Sequence, residues 1–183
     1  MGSASHARTL KITYIAIFAV LIAGCSWLSI PSAVPFTMQT FAVFLTLFLL
    51  GGKNGTLAVV VYLLLGAVGA PVFAGFSGGI GILFGSTGGY LLGFLATALL
   101  YWALEETICK KHVAAAIGVM VAGLALCYTF GTAWFVIVYS SNNGAVGVGT
   151  ALLWCVIPYI VPDLAKLALA FVLAKPLKRH VKL

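Results

Sequence analysis

The chain has 183 residues, of which 63% are apolar or aromatic and 7% charged, with a formal net charge of +7. Soluble domains carry roughly 25% charged residues, so this chain lacks the charge to clothe a water-facing surface, which excludes soluble enzymes, nucleic-acid-binding modules and disordered chains. A spanning helix takes about 20 residues, so at most about six or seven crossings fit and no soluble catalytic domain does.

Apolar runs bounded by proline, glycine and charge predict six membrane helices in one domain, at about residues 10–28, 35–50, 56–69, 87–104, 113–139 and 150–174. The first follows Arg8 and Lys11 and runs to Trp27. That is too long for a signal-peptide core, and it lacks an A-x-A-like end, so it reads as a retained span. Ala16, Ala19 and Ala23 form a small-residue face on it, where the helix packs within the chain or seats a partner's helix. The second and third spans are short and flank the turn Gly51-Gly52-Lys53-Asn54-Gly55, which predicts a helical pair crossing together.

Residues 70–86 form a long connection rich in glycine and phenylalanine and free of charge. Connections of that length are generally functional or disordered, and its apolar side chains predict a lid, with Phe73 and Phe76 closing over a pocket and Gly79 giving it freedom. The lid ends at Ser86-Thr87-Gly88-Gly89, where backbone N–H groups at the start of the fourth span can hold an anion. Gly85, Gly89 and Gly93 follow at spacing four and predict close helix packing.

The sixth span carries Asp163 and Lys166, which share one helical face at spacing i, i+3. Charges within a membrane are costly and usually mark a functional path. Pro158 and Pro162 free carbonyls one turn earlier, and Tyr159 is placed to reach the carboxylate. The remaining cations cluster at Arg8 and Lys11, at Lys53, at Lys110 and Lys111, and at Lys175, Lys178, Arg179 and Lys182. With six spans all of these fall on one side, which predicts both termini in the cytoplasm of a multi-pass cell-membrane protein. Trp27 and Trp154 mark the outer boundary, Tyr101 and Trp102 the inner one. The cysteines (Cys25, Cys109, Cys127, Cys155) show no metal-ligand spacing. His6, His112 and His180 lie in the flanks, leaving no nucleophile–base arrangement. The sequence has no GxxxxGK[ST] motif, so energy for pumping must come from elsewhere.

Residues 34–40 (VPFTMQT), 66–73 (GAVGAPVF), the 78–89 stretch with 88–94 (GGYLLGF), and 162–166 (PDLAK) resemble the BioY family, the biotin-specific substrate-binding (S) components of energy-coupling-factor (ECF) transporters. The resemblance covers nearly the whole chain. It implies the six-helix S-component fold in a prokaryotic plasma membrane, biotin capture from outside without a cofactor, and energisation by a transmembrane coupling subunit with two cassette ATPases. It implies binding roles for Asp163, Lys166, Gln39 and Tyr90. The chemistry of biotin is met by Asp163 accepting from ureido N–H groups, Lys166 donating, Thr87–Gly89 receiving the tail carboxylate, and Phe36, Phe73, Phe76 and Tyr90 walling the ring. Other readings of the residues are a self-sufficient carrier with Asp163 as proton relay, an S component for another small vitamin, and a membrane enzyme or assembly protein.

Overall fold

The computed structural model describes residues 2–181; Lys182 of the basic tail lies outside them. Helix α1 (Gly2–Trp27) leads through a two-strand ladder, β1 (Ser29–Ile30) antiparallel to β2 (Phe36–Thr37), into α2 (Gln39–Ala67). A 3-10 turn at Ala74–Phe76 and the short α3 (Ile80–Phe84) precede α4 (Gly88–Leu104), which ends in a π-helical turn, Glu105–Cys109. Then come α5 (Val113–Asn143), α6 (Val148–Cys155) and α7 (Ile157–Leu177). Among the described residues, five helices are long and apolar enough to cross a membrane.

One of these, α2, is folded back on itself. Gly51 has φ 76° and ψ 176°, a conformation that side-chain-bearing residues avoid. An unbroken helix would separate residues 47 and 55 by about 12 Å along its axis. Instead, a Cβ on Gly55 would lie 3.2 Å from the Leu47 Cα. At the far ends of the two limbs the Gln39 side-chain amide donates to the Tyr62 hydroxyl at 2.7 Å. The limbs, residues 39–50 and 52–67, are therefore antiparallel. The expected five-residue turn shrinks to Gly51 alone, because the Glu105 carboxylate accepts the Gly52 N–H at 2.7 Å and satisfies a donor that a fresh helix start leaves open.

Other boundaries shift for local reasons. α2 begins at Gln39 rather than residue 35, since Pro35 favours extended backbone before it and Phe36-Thr37 pairs with Ser29-Ile30. The last span breaks at Val156 (φ −126°, ψ −58°), just before Pro158, which cannot continue a helical hydrogen-bond ladder. Helix α5 runs four residues past its expected end, to Asn143. Residues 70–86 are not an open loop. Phe73 N–H donates to the Ser77 carbonyl at 2.9 Å, closing a tight turn with Gly75 and Phe76 at positive φ, and α3 adds a further helical turn at residues 80–84.

α2 is the hub, packing on α1, α4 and α7, while α5 packs chiefly on α4. Helices α5 and α7 thus rest on different neighbours rather than mainly on each other. Between α4 and α5, Gly93 lies flush against Cys127 and Gly89 against Trp134, and the Thr97 hydroxyl donates to the Gly123 carbonyl at 2.8 Å; such small-residue, hydrogen-bonded seams hold helices together in lipid. Ala19 and Ala23 are 1% and 5% exposed. They belong to the core rather than to a docking face, and of the three alanines only Ala16 is exposed. Tyr101 is likewise inside, edge-on to Phe48 at 6.2 Å, whereas Trp27, Trp102 and Trp154 are exposed.

Candidate ligand-binding site

A cavity of about 170 Å³ lies among α2, the 70–86 segment, α4, α5 and the α6–α7 break. Its polar pole is the pair on α7. Lys166 Nζ donates to Asp163 Oδ1 at 2.8 Å, and the two residues are 6% and 4% exposed. Lys166 also donates to the Thr37 carbonyl at 2.7 Å, and its ammonium sits 3.9 Å from the centroid of the Phe36 ring, a cation–π contact. The other carboxylate oxygen, Oδ2, accepts from the Tyr128 hydroxyl at 2.6 Å. A carboxylate has about four lone-pair sites and an ammonium three donors. After these bonds, Asp163 keeps acceptor capacity and Lys166 one donor that no oxygen of the described residues takes. A buried pair with its net charge cancelled and its hydrogen bonding unfinished can bind a neutral group offering N–H and C=O side by side.

Gln39, Thr87, Tyr90, Phe73, Tyr159, Asp163 and Lys166 all line the cavity. Tyr90 shares a 2.9 Å hydrogen bond with Thr132. Phe73 is 1% exposed; its ring is edge-on to Tyr62 at 5.5 Å and lies over Gly66, where a Cβ would come within 1.9 Å of it. Thus Gly66 is required for Phe73 to seat.

Five expected residues do not line the cavity. Phe36 stands behind Lys166. Phe76 is 64% exposed and stacks on Trp27 at 5.0 Å, because the positive-φ turn at Gly75-Phe76 points it outward. Gly79 donates its N–H to the Gly66 carbonyl at 2.7 Å and so anchors the lid. Gly88 and Gly89 bring backbone against Leu83 and Trp134. The donors at the α4 start are partly used: Gly88 N–H bonds the Gly85 carbonyl and Tyr90 N–H the Thr87 carbonyl, both at 3.1 Å. Tyr159 also differs from expectation. It reaches Ser32 at 2.7 Å and donates to the Val34 carbonyl, pinning the β-ladder loop, while Tyr128 takes the position beside Asp163.

Tyr128, Leu124 and Cys127 from α5, with Phe94, Ile82 and Ser77, also line the cavity and were not singled out as site residues in the sequence. The available signal was Tyr128 and Thr132, hydroxyls at spacing four in a mostly apolar span, which put both on one face. Among the described residues, no group of three or more His, Cys, Asp or Glu side chains could hold a metal ion.

All of residues 1–183 match the BioY family. The chain belongs to that family. The BioY chain is 43% identical to the biotin transporter BioY of Thermotoga maritima over 164 residues, 89% of this chain and 92% of that one. It is 33% identical to the biotin transporter BioY of Rhodobacter capsulatus over 179 residues, 93% and 94% of the two chains. Among solved structures, it shares the fold of the S-component for biotin from an ECF-type ABC transporter, with a TM-score of 0.82 over 98% of this chain and 95% of that one, at 24% identity.

Proposed function

We propose that this BioY chain is the biotin-binding S component of an ECF-type uptake transporter, a transport protein rather than an enzyme. The observation that carries the reading is the buried Asp163–Lys166 pair, braced by Tyr128 and Thr37, with acceptor and donor capacity left over on the cavity wall. The ureido ring of biotin presents two N–H donors and one carbonyl. Asp163 accepts from the N–H groups and Lys166 donates to the carbonyl. Phe73, Tyr90, Phe94 and Leu124 enclose the apolar bicycle, and the hydroxyl of Thr87, on the lid side, meets the carboxylate tail.

The two limbs of α2 and the jointed α6–α7 pair give six crossings, with both termini in the cytoplasm of a prokaryotic cell. Supporting this, Gly52 meets Glu105, Tyr14 bonds the His180 carbonyl, and Lys110, Lys175 and Lys178 surround one cleft. The basic segments therefore gather at one end of the bundle, as inward-facing cations do. Having no nucleotide-binding motif, the chain borrows its energy from a transmembrane coupling subunit and two cassette ATPases. Ile12, Ala16 and Val20, exposed at spacing four on α1, present the face for that subunit in place of Ala19 and Ala23. The test is purification from cells supplied with biotin, followed by mass spectrometry of the released small molecules. Stoichiometric biotin supports the reading, and a different vitamin in its place overturns it.

A further inference from the structure

A second cavity, of about 330 Å³, opens at the basic end of the bundle and shares no lining residue with the first. Its floor is aromatic, from Phe48, Tyr101 and Phe171, and its rim carries Lys110, Lys175 and Lys178. Lys110 is paired with Glu106. Glu105, the acid in the lining, gives Oε2 to the Gly52 N–H. Among the described residues, Lys175 and Lys178 have no carboxylate partner; Lys175 instead lies 4.8 Å over the Phe171 ring. Val113, also in the lining, is 61% exposed, so the cleft is open at its edge. It opens there because α5 and α7 pack on different neighbours.

We propose that this cleft binds one anionic phospholipid of the inner leaflet. The phosphate diester sits between the Lys175 and Lys178 ammoniums, and the upper part of an acyl chain lies on Phe171 and Phe48. Charge complementarity selects an anion, since two uncommitted cations meet a single negative phosphate. The aromatic floor selects a lipid over free phosphate, because only an amphiphile covers both the rim and the floor. The site lies outside the biotin reading, though it uses the same orientation in the membrane.

The test is native mass spectrometry of the full chain released from detergent with equimolar palmitoyl-oleoyl phosphatidylglycerol and phosphatidylcholine. The wild type retains phosphatidylglycerol preferentially. Near a membrane surface each lysine contributes about fivefold, so Lys175→Gln/Lys178→Gln lowers the retention ratio by roughly 25-fold. Both side chains are exposed, so the fold is not at stake, and calorimetry with biotin on the same variant should match wild type. An unchanged lipid ratio in the double variant overturns the proposal. So does removal of the phosphatidylglycerol adduct by inorganic phosphate at the lipid's own concentration, which means an anion site without a lipid. Failure of wild type to bind biotin while the lipid preference persists counts against the transport reading alone.

Discussion

The Tyr128 hydroxyl donates to Asp163 Oδ2 at 2.6 Å, joining α5 to α7 at a level where the two helices are otherwise held by α4 and α2. The bond serves the site as well as the fold. With Lys166 on Oδ1, it fixes the carboxylate plane and so aims the remaining lone pairs into the cavity. Hydrogen bonds to a charged group contribute about 1.5–3 kcal/mol. Tyr128→Phe, which keeps the ring, should therefore weaken biotin binding by roughly 10- to 150-fold. Calorimetry decides it, and wild-type affinity in the variant would reduce Tyr128 to a packing residue.

Lys166→Met should be the more damaging change. Removing one partner of a buried pair leaves the other charge uncompensated, at a cost of about 3–5 kcal/mol. Both the melting temperature in detergent and the affinity for biotin should fall. Lys166→Arg should not restore binding, because a branched guanidinium does not fit where one Nζ serves Asp163, the Thr37 carbonyl and the Phe36 ring together. Full rescue by arginine would contradict this geometry.

The contact between Asp163 and Lys166 was readable from spacing alone, since two charges in an apolar helix at i, i+3 have few other partners. Tyr128 was not, because one of two tyrosines in a span, with Tyr139 further on, carries no sign of which helix it will face. Ala19 and Ala23 announced a close helix contact, but small-residue spacing does not say whether the neighbour is α2 of the same chain or another subunit. The fold-back at Gly51 was visible as a glycine pair. Its reduction to one residue depends on the distant Glu105 carboxylate, which no local pattern reveals. Phe76 pointed into the site in the sequence because it is apolar; the positive φ at Gly75-Phe76 turns it onto Trp27 instead.

Gly51→Ala tests the hinge. A positive φ with ψ near 180° is essentially a glycine-only conformation that costs other residues about 1–3 kcal/mol, and the new Cβ would lie 2.7 Å from Glu105 Oε1. The melting temperature should drop while folded protein keeps its biotin affinity, the hinge being remote from the cavity. An unchanged melting curve would show that the backbone there adapts without strain.

Gly66→Ala tests the lid. Its methyl group would collide with the Phe73 ring and displace the aromatic plug from the cavity wall. Affinity changes within one interface lie mostly in the off-rate, so a fluorescent biotin analogue should leave faster in stopped-flow measurements, with Asp163 and Lys166 untouched. Gly78→Val acts on the same lid, since its Cβ would meet the Ala70 carbonyl at 2.2 Å and force the lid open. It should share the fast-release behaviour, and wild-type release in both variants would mean that Phe73 does not close the pocket.

The most direct test of the central claim is calorimetric titration of biotin into purified wild-type and Asp163→Asn protein. Asparagine keeps the shape of the side chain but replaces one acceptor oxygen with a donor nitrogen and leaves Lys166 without its counter-charge. Tight one-to-one binding by the wild type, falling at least about 100-fold in a variant that still melts cooperatively, is the expected result, in line with the roughly 3–5 kcal/mol cost of breaking a buried pair. Equal affinity in the two proteins would contradict the assignment of Asp163 as the acceptor for the ureido ring.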